Sequence, residues 1–76
     1  MPHYHFHILD HGTVIRDDEG EMLPDIESAR VEARISARNL ILECLQANEK
    51  IDGRKIEITD EQGAVLETFC VKDLLN

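Results

Sequence analysis

The sequence predicts an α+β domain of order β-β-α-β-β. Two β-hairpins form a four-stranded antiparallel sheet, and one long helix packs on one face. Three observations carry this. Residues 3–8 and 54–60 alternate apolar and polar side chains, the period of a half-buried strand. Residues 26–47 contain neither Gly nor Pro and repeat apolar side chains at helical spacing. Two glycine-bearing turns, Asp10-His11-Gly12 and Asp60-Glu61-Gln62-Gly63, each separate a pair of extended runs. With 76 residues, residues 1–76 read as a single domain.

The first strand spans residues 3–9. Tyr4, Phe6 and Ile8 fall on one side, His3, His5 and His7 on the other. Thr13 to Arg16 is a short second strand. Asp17 to Glu21 lacks periodicity and is a loop. Pro24 disfavours helical geometry at Leu23, and Asp25 is placed to cap the amides that follow.

The helix then runs from Ile26 to about Ala47, with Asn48 as a left-handed terminator. Ile26, Ala29, Ala33, Ala37, Leu40, Ile41 and Cys44 form one apolar stripe, whose alanines allow close approach to a sheet. Val31, Ile35, Leu42 and Leu45 form a second stripe on an adjoining face, with Arg30, Arg34 and Arg38 dividing the two.

Residues 50–53 connect to the third strand, Arg54 to Asp60, with Ile56 and Ile58 inward. Ala64 to Val71 is the fourth strand. Its Leu66, Thr68 and Cys70 take one face, Val65, Phe69 and Val71 the other. Residues 73–76 are a final helical turn or a frayed tail.

Acids outnumber bases 16 to 8, for a formal charge of -8. That balance opposes nucleic-acid binding, which rests on Lys and Arg displacing counterions from phosphates. It also opposes anionic membrane surfaces, and no run approaches the roughly 20 apolar residues of a membrane helix. No export signal is visible, so the expected compartment is the cytoplasm. Cys44 and Cys70 form no C-x-x-C pair and read as reduced, buried thiols, with a single disulfide as the alternative.

The opening Met1-Pro2-His3-Tyr4-His5-Phe6-His7 is followed in order by Asp17-Asp18-Glu19-Gly20 and by Leu23-Pro24-Asp25-Ile26-Glu27-Ser28-Ala29. An alanine-rich helix, Asp52-Gly53-Arg54-Lys55-Ile56-Glu57-Ile58 and Thr59-Asp60-Glu61-Gln62-Gly63 complete the series. That succession resembles a family of short, uncharacterised proteins from rhizobium-type soil bacteria, a domain of unknown function. The resemblance spans nearly the whole chain and implies no activity or site residue. Members tend to carry an aromatic residue where this chain has His5, so the histidine cluster is a departure from the family pattern.

Four constellations invite chemistry. His3, His5 and His7 line one strand face and His11 lies in the turn. An H-x-H pair on a strand supplies two imidazoles to zinc, since same-face neighbours sit roughly 6.5–7 Å apart. The plain reading is a polar sheet face with at most weak zinc or nickel binding. The sharper one is a metal site of His5 and His7 with His3 or His11. Asp17, Asp18, Glu19, Glu21 and Asp25 crowd around Gly20 without the spacing of a helix-loop-helix calcium site, and read as a solvated loop and a helix cap. Arg30, Arg34 and Arg38 pair with nearby acids or grip an anion. Catalytic arrangements are missing: Ser28 and Ser36 have no nucleophile elbow, and no phosphate-cradling glycine loop exists, so no enzyme is expected.

The second helical stripe carries the functional expectation. Surplus apolar surface on a small domain is usually buried against something, most often a second copy. Val31, Ile35, Leu42 and Leu45 are the expected anchors of a homodimer, with Arg34 and Arg38 at the rim. The competing reading tucks that stripe under the first loop, covered by Met22 and Leu23. The open sheet face with Phe69 and Val71 is a second candidate interface. Metal binding at the histidine strand is the alternative function. A role as antitoxin-like or regulatory partner of another protein is a further alternative.

Overall fold

The computed structural model describes residues 2–51 and 53–75. Its elements are β1 (His3–Asp10), β2 (Thr13–Ile15), β3 (Glu21–Met22), α1 (Ile26–Ala47), β4 (Arg54–Asp60) and β5 (Val65–Cys70), closed by a 3-10 helix (Val71–Leu75). The fold is α+β. The antiparallel sheet runs β2-β1-β4-β5, and β3 also pairs with β1. The two hairpins and the single helix match expectation. The strand count does not, because β3 adds a fifth strand.

That fifth strand is only two residues long. His3 faces Met22 and Tyr4 faces Glu21, so β2 and β3 share one edge of β1. Too short for any periodicity, it is held by the partner strand and not by its own composition. Part of the connection expected over 50–53, and the last position of the expected final turn, lie outside the described residues.

β1 and β4 form the centre of the sheet, in register from Tyr4↔Asp60 to Asp10↔Arg54. This register puts Tyr4, Phe6 and Ile8 on the same face as Ile56 and Ile58. Helix α1 covers that face. Ala29, Ala33, Ala37, Ile41 and Cys44 are its buried residues. They meet Tyr4, Ile56, Ile58 and Val71 in the core. Methyl side chains on the inner stripe let the helix backbone approach the sheet closely.

The helix ends behave as the sequence dictates. Asp25 is extended, and its Oδ1 accepts the Ser28 amide at 2.8 Å. Asn48 is left-handed at φ 60°, and the Glu49 amide returns to the Cys44 carbonyl at 2.8 Å.

The end of the chain corrects one expectation. β5 stops at Cys70, and Val71 begins the 3-10 helix. Val71 is fully buried, and Phe69 packs against the same core. Neither residue lies on an open sheet face, so the second candidate interface does not exist there. A register shift opposite Ile58 and Thr59 explains why β5 reads as apolar on both sides: Glu67 faces Ile58 while Val65 faces Thr59. Cys44 is buried, Cys70 half-buried, and the two are not bridged.

Candidate functional site

The sheet face away from α1 carries the histidines. The rings of His3 and His5 stack at 5.0 Å between centroids, those of His5 and His7 at 6.0 Å. The acidic loop holds this ladder. His3 Nε2 donates to the Glu19 carbonyl at 2.7 Å, and His5 Nδ1 donates to the Asp17 carbonyl at 2.7 Å. The Asp17 amide donates to His7 Nδ1 at 3.0 Å. That bond assigns the His7 proton to Nε2, which lies 3.4 Å from Thr59 Oγ1.

Asp17 does more than solvate a loop. Its carboxylate accepts the amides of Phe6 at 3.1 Å and Gly20 at 3.1 Å. Phe6 stands on the edge of β1 between the segments that pair with β2 and β3. The carboxylate therefore closes a gap in the ladder where no strand runs. Gly20 makes the return possible. It has φ +67°, and a Cβ there would stand 2.6 Å from the Tyr4 carbonyl oxygen. The solvated reading of this loop is thus corrected for Asp17.

For metal chemistry the geometry is demanding. Both His7 ring nitrogens already have partners, and His3 and His5 each spend one. His11 sits in the β1–β2 turn at φ 49°, its Nδ1 2.8 Å from Asp10 Oδ1. Among the described residues no group of three or more His, Cys, Asp or Glu is placed to hold a metal ion. Beside the ladder lies an open cleft of about 240 Å³, lined by His5, His7, Arg16 and the carboxylates Asp17, Asp18, Asp60 and Glu61.

The arginines divide. Arg30 pairs with Glu27 on its own helix and with Glu67 of β5 at 2.6 Å. The bond to Glu67, with the two carboxylates beside it, holds the guanidinium above its usual range against a smaller desolvation effect. Arg34 and Arg38 are exposed and have no ion pair among the described residues.

Arg54 escaped the sequence reading. It begins β4 yet is buried. Its guanidinium donates to Glu49 Oε2 at 2.7 Å, to Asp10 Oδ1 at 3.2 Å and to Cys44 Sγ. The bond to Glu49, aided by Asp10, raises its pKa despite burial. This one side chain ties α1, the segment after it and β1 to β4. Its polar character at a strand start gave no sign of burial.

The second helical stripe is corrected in position. Val31, Ile35, Leu42 and Leu45 lie on the side of α1 away from the sheet, opposite the alanines rather than adjoining them. They are 43 to 65% exposed. Among the described residues nothing tucks over them, and Met22 is itself exposed. At 100° per residue, the two-residue step from Val31 to Ala33 turns about 200°, which leaves them about 160° apart around the helix and is the physical reason.

Among the described residues no helix is long and apolar enough to cross a membrane. No curated protein and no solved structure matches the chain. Residues 3–71 match the model of a domain of unknown function, DUF6894. The match takes in the histidine ladder, the acidic loop, the whole of α1 and both hairpins, and the chain belongs to that family.

Proposed function

We propose that the protein is a non-catalytic interaction module that pairs with a second copy of itself through the outer face of α1. The observation that carries this reading is the exposure of Val31, Ile35, Leu42 and Leu45 in the single chain. Val31, Ile35, Arg38, Leu42 and Leu45 step by four, three, four and three residues, the spacing of a helix–helix seam. Arg38 interrupts the apolar run. An antiparallel two-fold arrangement lays its aliphatic stem against the apolar side chains of the other helix and sends its head to the rim. Arg34 flanks the seam in the same way.

The setting of this reading is the cytoplasm. The two unbridged cysteines fit a reducing compartment.

Sedimentation equilibrium and native mass spectrometry of untagged protein, purified without chelator, test the proposal. The expected species is a dimer without stoichiometric metal. Ile35→Asp and Leu42→Asp are expected to give folded monomers, because both positions are exposed and the core does not use them. A wild-type monomer at every concentration, or variants that remain dimers, overturns the assignment. A stoichiometric zinc or nickel adduct lost on replacing His5 and His7 by Gln would move the function to the histidine ladder.

A further inference from the structure

We propose that the groove between α1 and the β1 edge of the sheet docks a segment of another protein that carries alternating apolar and cationic side chains. The groove encloses about 290 Å³. Phe6, Ile8 and Ile56 form its floor, Glu32 and Ser36 its helix wall, and Asp17 and Glu21 its opposite rim.

The fold leaves this groove open for a definite reason. Helix α1 runs above β4 and the closing 3-10 helix. Its buried face there is mostly alanine, whose short side chains fill little of the space toward the β1 edge. Phe6 and Ile8 are consequently only half-buried. Ile15 pairs with Ile8, shares its face and is 52% exposed, so the apolar floor continues onto β2.

Charge selects the occupant. The lining residues include three carboxylates and no base. Glu21 and Glu32 have no side-chain hydrogen bond or ion pair among the described residues. A second copy of a chain of charge -8 would set acid against acid. Phosphates and fatty carboxylates meet the same repulsion. Lys and Arg satisfy both parts of the surface, stem on the apolar floor and head at the rim. Neighbouring Leu or Ile side chains fill the floor itself. The groove and the outer face of α1 lie on different sides of the helix, so this proposal does not depend on self-association.

The test is an NMR titration of the labelled full chain with two short synthetic peptides, one alternating Leu and Lys, the other Leu and Glu. The Leu/Lys peptide is expected to shift the amides of Phe6, Ile8 and Ser36, and the Leu/Glu peptide to shift none of them. The double variant Glu21→Lys/Glu32→Lys should keep the fold and lose about tenfold in affinity. The charge-matched control Glu61→Lys/Asp73→Lys, away from the groove, should lose much less. Equal losses in the two doubles would show that only net charge is read, and would overturn the site. So would shifts centred on Val31 and Leu42, or equal binding of the two peptides.

Discussion

The two long faces of α1 differ in the opposite sense from a simple amphipathic helix. The buried face is built mostly from alanine, with Ile41 and Cys44 toward its C-terminal end. The exposed face carries Val31, Ile35, Leu42 and Leu45. Inside, side-chain size is set by the distance between helix and sheet. The volume comes from the sheet, where Ile56 and Ile58 are fully buried. Outside, no such limit acts, yet large apolar side chains are kept. The chain's own stability accounts for the first face and not for the second.

The sharpest test of that contrast removes the same atoms from each side. Ile56→Ala takes them from a fully buried position and should cost about 3 kcal/mol, close to the usual range for core truncations. Ile35→Ala takes them from the outer face and should change the monomer's stability by less than about 0.5 kcal/mol. Urea unfolding of both variants at low protein concentration gives the comparison. Equal costs would mean that the outer face belongs to the core of the single chain.

Overpacking tests the inner face in the other direction. Ala33 touches the core with almost no exposure. Ala33→Leu should cost about 2 kcal/mol, because the helix must lift from Ile56 and Ile58 to admit it. A neutral result would show that the helix rides higher than the packing implies.

Much of this was legible in the sequence. Pro24, Asp25 and Asn48 punctuate α1, and the helix begins and ends where they place it. The glycine turns fixed both hairpins. What escaped depends on partners remote in sequence. β3 exists only because β1 offers it an edge. Asp17 acts through the amides of Phe6 and Gly20, and Arg54 is buried by residues 5, 10 and 44 positions away. The position of the outer stripe was available from helical arithmetic. Its exposure was not, because cover by the first loop satisfied the same pattern. For the histidines, residue type and spacing were readable, but the hydrogen bonds that occupy their ring nitrogens were not.

The arginines give a second, smaller contrast. Arg54→Met should lower stability clearly, since it removes the buried guanidinium that joins β4 to Asp10, Glu49 and Cys44 and takes a cation from the half-buried Asp10 carboxylate. Arg38→Met should leave monomer stability unchanged and strengthen self-association, because it completes the apolar seam. Thermal unfolding and sedimentation of the two variants check both statements. A weaker dimer from Arg38→Met would mean that the guanidinium contributes to the interface.

The smallest expected effect lies at the helix start, which belongs to neither face. The Ser28 amide, and secondarily its hydroxyl, hold Asp25 below the usual aspartate value. A lowered carboxylate pKa means that the charged form is favoured in the folded chain. Its contribution is complete above the unfolded pKa and is lost as pH falls through the folded one. Asp25→Asn keeps an oxygen acceptor for the Ser28 amide but removes the titration. The stability difference between wild type and Asp25→Asn should therefore be flat above about pH 5 and shrink on acidification. Asp25→Ala loses the cap itself and should be less stable at every pH. Neither variant should alter the dependence of the unfolding midpoint on protein concentration, because Asp25 lies outside the seam formed by Val31 to Leu45. A changed concentration dependence would extend the self-association surface to the first turn of α1 and would make the contrast between its two faces a property of only part of the helix.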